Sequence, residues 1–220
     1  MIRLQDISKS FGQIPAVHGV SFELTMGESL VILGPTGSGK TTLLKLIAGL
    51  ELPNRGEIYH NGDLISKPGW ASEPSSRSLG YIFQEPALWP HMTVKQNILF
   101  GLNQMPKKEA LEILGKVMND LLIDHIRDRY PHEISGGESR LVALARSVSP
   151  NPRLLLMDEP LVNLNPEMKD TVWLYLSEYI NSPETSIIYV THDREETANF
   201  SDRIMQMSSG ELINDTNNRE

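Results

Sequence analysis

The sequence predicts an α/β fold with a mainly parallel sheet, an antiparallel β part near the N-terminus and a helical part in the middle. Three observations carry this. From Leu141 onward the apolar pattern alternates helix (141–149), strand (154–157), helix (166–180) and strand (186–190), the alternation of a parallel sheet covered by helices. A short apolar run, Leu30-Val31-Ile32-Leu33, passes through a glycine-rich loop into the helix-forming stretch 41–48, as a buried strand turning into a helix does. The first quarter is rich in short alternating strands, and the middle third shows helical spacing.

In chain order, residues 2–7 and 20–24 read as short strands around a turn, and 56–62 as a strand ending at the Asn61-Gly62 turn signal. Residues 66–76, rich in Ser, Pro and Gly, read as an exposed loop. A buried strand is expected at 79–83, followed by helices at 93–101 and 107–122 with few β-branched runs. The alternating part from 141 closes with a short strand and turn at 204–210. These elements suit one domain over 1–220, with a β-rich part at about 1–30 and 56–80 and a helical part at about 88–150.

Composition narrows the chemistry. Twenty Lys+Arg stand against 28 Asp+Glu, a formal net charge of -8, which disfavours a nucleic-acid footprint across the surface. There are no cysteines, so disulfides, thiolate metal sites and cysteine nucleophiles are excluded. The start, Met1 to Asp6, lacks the basic then apolar layout of a secretory signal, and no segment approaches 18 consecutive apolar residues. A cytoplasmic chain is expected.

Gly34-Pro35-Thr36-Gly37-Ser38-Gly39-Lys40-Thr41 matches the Gly-x-x-x-x-Gly-Lys-[Ser/Thr] phosphate-binding loop without a mismatch. Its glycines let the backbone close around an anion, and its N–H groups and the helix N-terminus point at phosphates. Lys40 adds a positive charge, and Thr41 offers a hydroxyl to magnesium. Leu154-Leu155-Leu156-Met157-Asp158 reads as a buried strand delivering a carboxylate to the C-terminal edge of the sheet, where such folds bind ligands. Asp158 is then placed to hold magnesium, and Glu159 to orient or deprotonate a water attacking the γ-phosphate. The fold expected is therefore a phosphate-loop NTPase core carrying the β and helical parts.

Ile134-Ser135-Gly136-Gly137-Glu138, 20 residues before Asp158 and opening a helix, resembles the signature motif of ATP-binding cassette proteins, and the motif order over essentially the whole chain matches that family. The resemblance implies that Phe11 stacks on adenine, that Gln84 joins magnesium to the transporter interface, and that His192 senses the γ-phosphate. It implies binding of ATP and Mg2+ by Gly34 to Thr42, Gln84, Ser135 to Glu138 and Asp158, with Thr41, Gln84 and Asp158 around the metal. Lys40, Glu159 and His192 would serve the hydrolysis. It also implies a dimer with two ATP molecules at its interface, each signature completing the partner's site.

The sequence departs from the family pattern in three places: Glu138 where Gln is usual, Val162 where Ser is common, and Asn165 where Asp is common. Glu138 adds negative charge near a site for polyphosphate, unless it points away or meets a cation of the partner. Val162 and Asn165 lie on the loop that crosses the family's dimer axis, and they imply slower or less coupled hydrolysis.

The segment Gln84 to Val94 resembles that of bacterial importers of oxyanions, metal ions or polyamines. It implies an ATPase subunit on the cytoplasmic face of the membrane. Its expected partners are a second, identical ATP-binding subunit, two transmembrane permease subunits and, for an importer, a substrate-binding protein, with no nucleic acid. An exporter ATPase fits nearly as well, and a soluble cassette protein less well. With ten residues after Gly210, no C-terminal regulatory domain is expected. A small-molecule kinase of another phosphate-loop class would need an acceptor lid and no Ser135-Gly136-Gly137; a GTPase would need an Asn-Lys-x-Asp element, which is absent.

Overall fold

The computed structural model describes residues 1–197 and 203–217. They fall into two compact units: the first comprises residues 1–79, 153–158, 182–197 and 203–217, and the second comprises residues 80–152 and 159–181.

The first unit holds two sheets. One is antiparallel, in the order β2-β1-β4-β5-β6, built from β1 (Ile2–Phe11), β2 (Ile14–Leu24), β4 (Arg55–His60), β5 (Asp63–Lys67) and β6 (Trp70–Ala71). The two opening strands are 10 and 11 residues long, longer than 2–7 and 20–24. Register shifts interrupt their pairing at Leu4/Ile7, Ile7/Lys9 and Lys9/Ser10, and Asp6 has φ 53°. Each bulge breaks the two-residue alternation by which a strand is read from sequence, which hides the outer halves of both strands. Asn61 and Gly62, both at positive φ, make the two-residue turn between His60 and Asp63.

Residues 66–76 correct the expectation of an exposed loop. Ser66 belongs to β5 and is fully buried, Lys67 pairs with Trp70 across a hairpin, and a 3-10 turn spans Pro74–Arg77. Pro and Gly here shape a tight hairpin turn, not a free loop.

The second sheet of this unit runs β11-β10-β3-β9-β8, from β3 (Ser29–Leu33), β8 (Leu154–Asp158), β9 (Ser186–Thr191), β10 (Arg203–Ser208) and β11 (Glu211–Asn217). Three of the four pairings in this run are parallel, and at its edge β11 returns antiparallel on β10. Every residue of β3, β8 and β9 is buried, which matches their near-continuous apolar sequences. β11 extends the expected turn at 204–210 into a hairpin. Its Asn and Asp residues are poor strand formers, so pairing with β10, not propensity, holds it.

The helix α1 (Lys40–Ala48) follows β3 and ends at Gly49. Arg77, 2% exposed, closes that end: its guanidinium donates to the carbonyls of Ile47 (2.6 Å), Ile65 (2.7 Å) and Ser72 (3.1 Å). A cation at the C-terminal end of α1 complements the helix dipole while tying the helix to β5. Burial pushes the guanidinium pKa down from its usual value, but arginine remains charged. Arg77→Met strands these carbonyls and is expected to lower stability by about 2–4 kcal/mol, read as a lower urea midpoint at unchanged slope.

The second unit is largely helical: α2 (Val94–Phe100), α3 (Lys107–Asp120), α4 (Gly136–Val148) and α5 (Pro166–Ile180), reached through β7 (Leu79–Ile82). Thr93 caps α2 in a reciprocal box with Gln96, and Asn165 caps α5 by accepting from the Met168 N–H at 2.8 Å. α4 begins at Gly136, five residues before the apolar periodicity at Leu141. Its polar first turn is set by capping at Ser135, which an apolar count does not register. A short α6 (Arg194–Thr197) follows β9. No helix among the described residues is long and apolar enough to cross a membrane.

Candidate nucleotide site

Parallel register gathers the first unit's candidate residues, Phe11 apart, at one sheet edge. Leu33 pairs beside Thr191, and Val190 beside Asp158, so the segments leaving β3, β8 and β9 emerge together at their C-terminal ends, where open parallel sheets bind ligands. The segment after β3 is Gly34 to Gly39, and α1 starts at Lys40.

The loop is tightly seated. Gly34 N–H donates to Thr191 O (3.2 Å), and Gly210 N–H donates to Ser38 O (3.0 Å). A Cβ on Gly34 would lie 2.2 Å from the Met207 carbonyl oxygen, and one on Gly39, at φ 102°, would lie 2.1 Å from that of Ala16. Backbone surrounds both positions, so only glycine fits. Pro35, Thr36 and Gly37 form the exposed apex, Ser38 is buried and Thr42 is half-buried on the first turn of α1. Lys40, 4% exposed, donates from Nζ to the carbonyls of Gly34 (2.7 Å) and Pro35 (2.9 Å), with Ser38 Oγ at 3.5 Å. Its charge is held inside the curl of the loop that would wrap a phosphate.

Thr41 Oγ1 donates to Asp158 Oδ1 at 3.0 Å, and Asp158 is 2% exposed. A hydroxyl and a carboxylate oxygen side by side are hard oxygen donors of the type Mg2+ takes, its remaining positions going to water and phosphate. These two residues fit that ion. His192 follows β9 at the same edge and is exposed. Phe11 closes β1 in the antiparallel sheet with 49% of its surface exposed.

Glu196 was not legible as part of this edge. Buried, it accepts from Tyr189 Oη (2.6 Å) and Thr191 Oγ1 (2.7 Å), while Thr191 Oγ1 accepts from Asp193 N–H (3.0 Å). It therefore pins the corner on which His192 sits. Its signal was present: two hydroxyl side chains inside a fully buried strand require a partner.

The second unit carries the other candidates. Gln84 Nε2 donates to Glu159 Oε2 at 3.4 Å. Glu159 is 8% exposed and has φ 48°, a left-handed conformation uncommon for a residue with a side chain. Arg140 of α4 donates to Gln84 O at 2.8 Å, and Arg146 of the same helix donates to Ala87 O (3.0 Å) and Pro86 O (3.3 Å). The segment from Gln84 is thus fastened to the signature helix. Neither arginine had a sequence signal, because each binds backbone.

Ser135, Gly136 and Gly137 form the start of α4, with Ser135 as its cap. Glu138 turns back on its own helix: it accepts from Ser135 N–H at 2.7 Å, its N–H donates to Ser135 Oγ at 3.2 Å, and Oε1 lies 3.3 Å from His125 Nε2. These donors, the Ser135 backbone first, hold its carboxyl below the usual range. The sequence left Glu138 to point away from phosphate or to meet a cation of the partner; in the structure its carboxylate turns back onto Ser135, beside His125 of its own chain. Asn165 keeps the capping role that Asp would fill equally well, without the charge. Val162 is half-buried in the turn closed by its N–H to Glu159 O at 3.3 Å.

Comparison with known proteins bears on this geometry. Residues 17–162 match the family described as ABC transporter. The chain is 39% identical over 217 residues to a sulfate/thiosulfate import ATP-binding protein of Halalkalibacterium halodurans, covering 96% of this chain and 60% of that protein. It is 40% identical over 215 residues to a trehalose/maltose import ATP-binding protein of Thermococcus litoralis, covering 96% and 58%. It is 37% identical to an Fe(3+) ions import ATP-binding protein of Haemophilus influenzae, covering 97% and 61%. The chain thus spans about 60% of the length of these curated relatives. Among solved structures, a dimeric ATP-binding cassette in a post-hydrolysis state with ADP and Pi superposes with TM-score 0.90 at 26% identity, covering 100% of both chains.

Proposed function

This chain belongs to the ABC transporter family, and from that premise we propose that it is an ATP-binding and ATP-hydrolysing subunit that dimerises around two ATP molecules to drive a membrane permease, in a bacterial solute importer. The observation that carries the reading is the contact between Thr41 and Asp158 at 3.0 Å: it joins the phosphate loop to the carboxylate of β8 at one sheet edge. The importer assignment is supported by the relatives, whose names are those of import ATP-binding proteins.

In this reading the N–H groups of 34–42, Ser38 and Lys40 hold the β- and γ-phosphates, and Phe11 stacks on adenine. Thr41, Asp158 and Gln84 hold Mg2+, which when bound neutralises charge developing on the phosphate oxygens. Glu159 takes the proton of the attacking water as its oxygen bonds to the γ-phosphorus; the bond to the β-phosphate oxygen breaks, and ADP and phosphate leave. His192 donates to the γ-phosphate. Ser135, Gly136 and Gly137 cap the γ-phosphate bound by the partner subunit, so hydrolysis loosens the dimer. The segment from Gln84, fastened to α4 by Arg140 and Arg146, is the part of this chain that meets the permease and carries dimer opening to it.

Capture of the tagged chain from detergent-solubilised membranes of its own cell tests the assignment. Recovery of multi-span hydrophobic subunits together with a soluble substrate-binding protein is the expected result. Recovery of the chain without any membrane protein would contradict the transporter reading.

A further inference from the structure

Phe11 is not a solitary exposed aromatic. Lys9 Nζ lies 5.0 Å from the centroid of its ring, within the range of a cation–π contact. That ammonium is itself fixed: it donates to Leu52 O at 2.9 Å and pairs with Glu51 at 2.9 Å, and the Lys9 side chain is only 12% exposed. The end of β1 is anchored to the same segment on either side of Lys9, by Asn54 N–H to Ser8 O (2.8 Å) and Ser10 N–H to Asn54 Oδ1 (2.7 Å). Residues 50–54 follow directly on α1. One short segment beyond the phosphate-loop helix therefore grips the strand end that carries the ring.

A surface lysine ordinarily keeps its head in water and loses much rotamer freedom if it is immobilised. Here the head is drawn in, satisfied on one side by a carbonyl and a carboxylate, and turned toward an aromatic that is half exposed. A cation over one face of a ring withdraws π density from the other, which makes that face a better platform for an electron-rich purine.

We propose that Lys9 is a positioning residue for the nucleotide base: it fixes the ring of Phe11 and polarises it for stacking on adenine. This rests on the reading of Phe11 as the base platform, and it adds a contribution to base affinity that the phosphates do not supply. Lys9 touches no nucleotide atom in this account and acts only through the ring.

Calorimetric titration with two probes, Mg-ATP and Mg-tripolyphosphate, separates base from phosphate binding. Lys9→Met is expected to weaken ATP about three-fold, to leave tripolyphosphate unchanged, and to be rescued by Lys9→Arg, which restores a cation. In a Phe11→Ala background, itself weaker for ATP but not for tripolyphosphate, Lys9→Met should have no further effect. Lys9→Gln with the same melting temperature as the parent serves if the Met variant folds poorly. Equal loss for both probes, or the same loss with and without Phe11, would overturn the proposal and leave Lys9 as a tie between β1 and residues 50–54. Unchanged ATP affinity in Phe11→Ala alone would remove the base-platform reading, and the role of Lys9 with it.

Discussion

Glu159→Gln is expected to cut ATP turnover by about 10²- to 10⁴-fold while leaving ATP affinity within a small factor of the parent. The amide has the shape of the carboxylate and can still sit 3.4 Å from Gln84, but it cannot take a proton from water. Position suits the role: Glu159 follows directly on Asp158 at the end of β8 and is itself buried. Since binding survives and chemistry does not, the variant should accumulate as an ATP-bound dimer, visible by size-exclusion chromatography with ATP and as a monomer without it. Turnover within ten-fold of the parent would remove Glu159 from the chemistry and point to water positioned by other groups.

Lys40→Met should be nearly as damaging by a different route, with kcat/KM for ATP falling about 10²-fold or more because a buried positive charge aimed at the phosphates is lost. In the structure the ammonium bridges the Gly34 and Pro35 carbonyls, so its removal also loosens the loop. Unlike Glu159→Gln, this variant should lose affinity for Mg-ATP and for Mg-tripolyphosphate alike and should trap no dimer. Retained tripolyphosphate affinity would contradict the assignment of 34–41 as the phosphate cradle.

What the sequence made legible follows from how local each signal is. The tight glycine-rich turn between β3 and α1 was readable from a pattern contained within eight residues, and the structure places carbonyl oxygens about where side chains on Gly34 and Gly39 would have stood. β3, β8 and β9 were readable because they are buried on both faces and so are uninterrupted apolar runs. Features that depend on distant partners were not. β11 exists through its pairing with β10, and the outer halves of β1 and β2 are masked by bulges. Arg77, Arg140 and Arg146 act on backbone carbonyls, which leave no residue-type trace.

The departures from the family pattern take on physical content in the same way. Glu138 raised a question of repulsion that sequence left open; the reciprocal cap with Ser135 and the nearby His125 occupy its carboxylate. A glutamine at that position could make the same cap, so the difference between the two residues is one of charge and not of helix architecture.

Mg2+-dependent ATP hydrolysis by the purified wild-type chain, measured against protein concentration, tests the two-site closure account most directly. Turnover per subunit that rises with concentration and levels off as an ATP-bound dimer forms is the predicted result. Turnover that is independent of concentration, from a chain that stays monomeric with ATP, would contradict it.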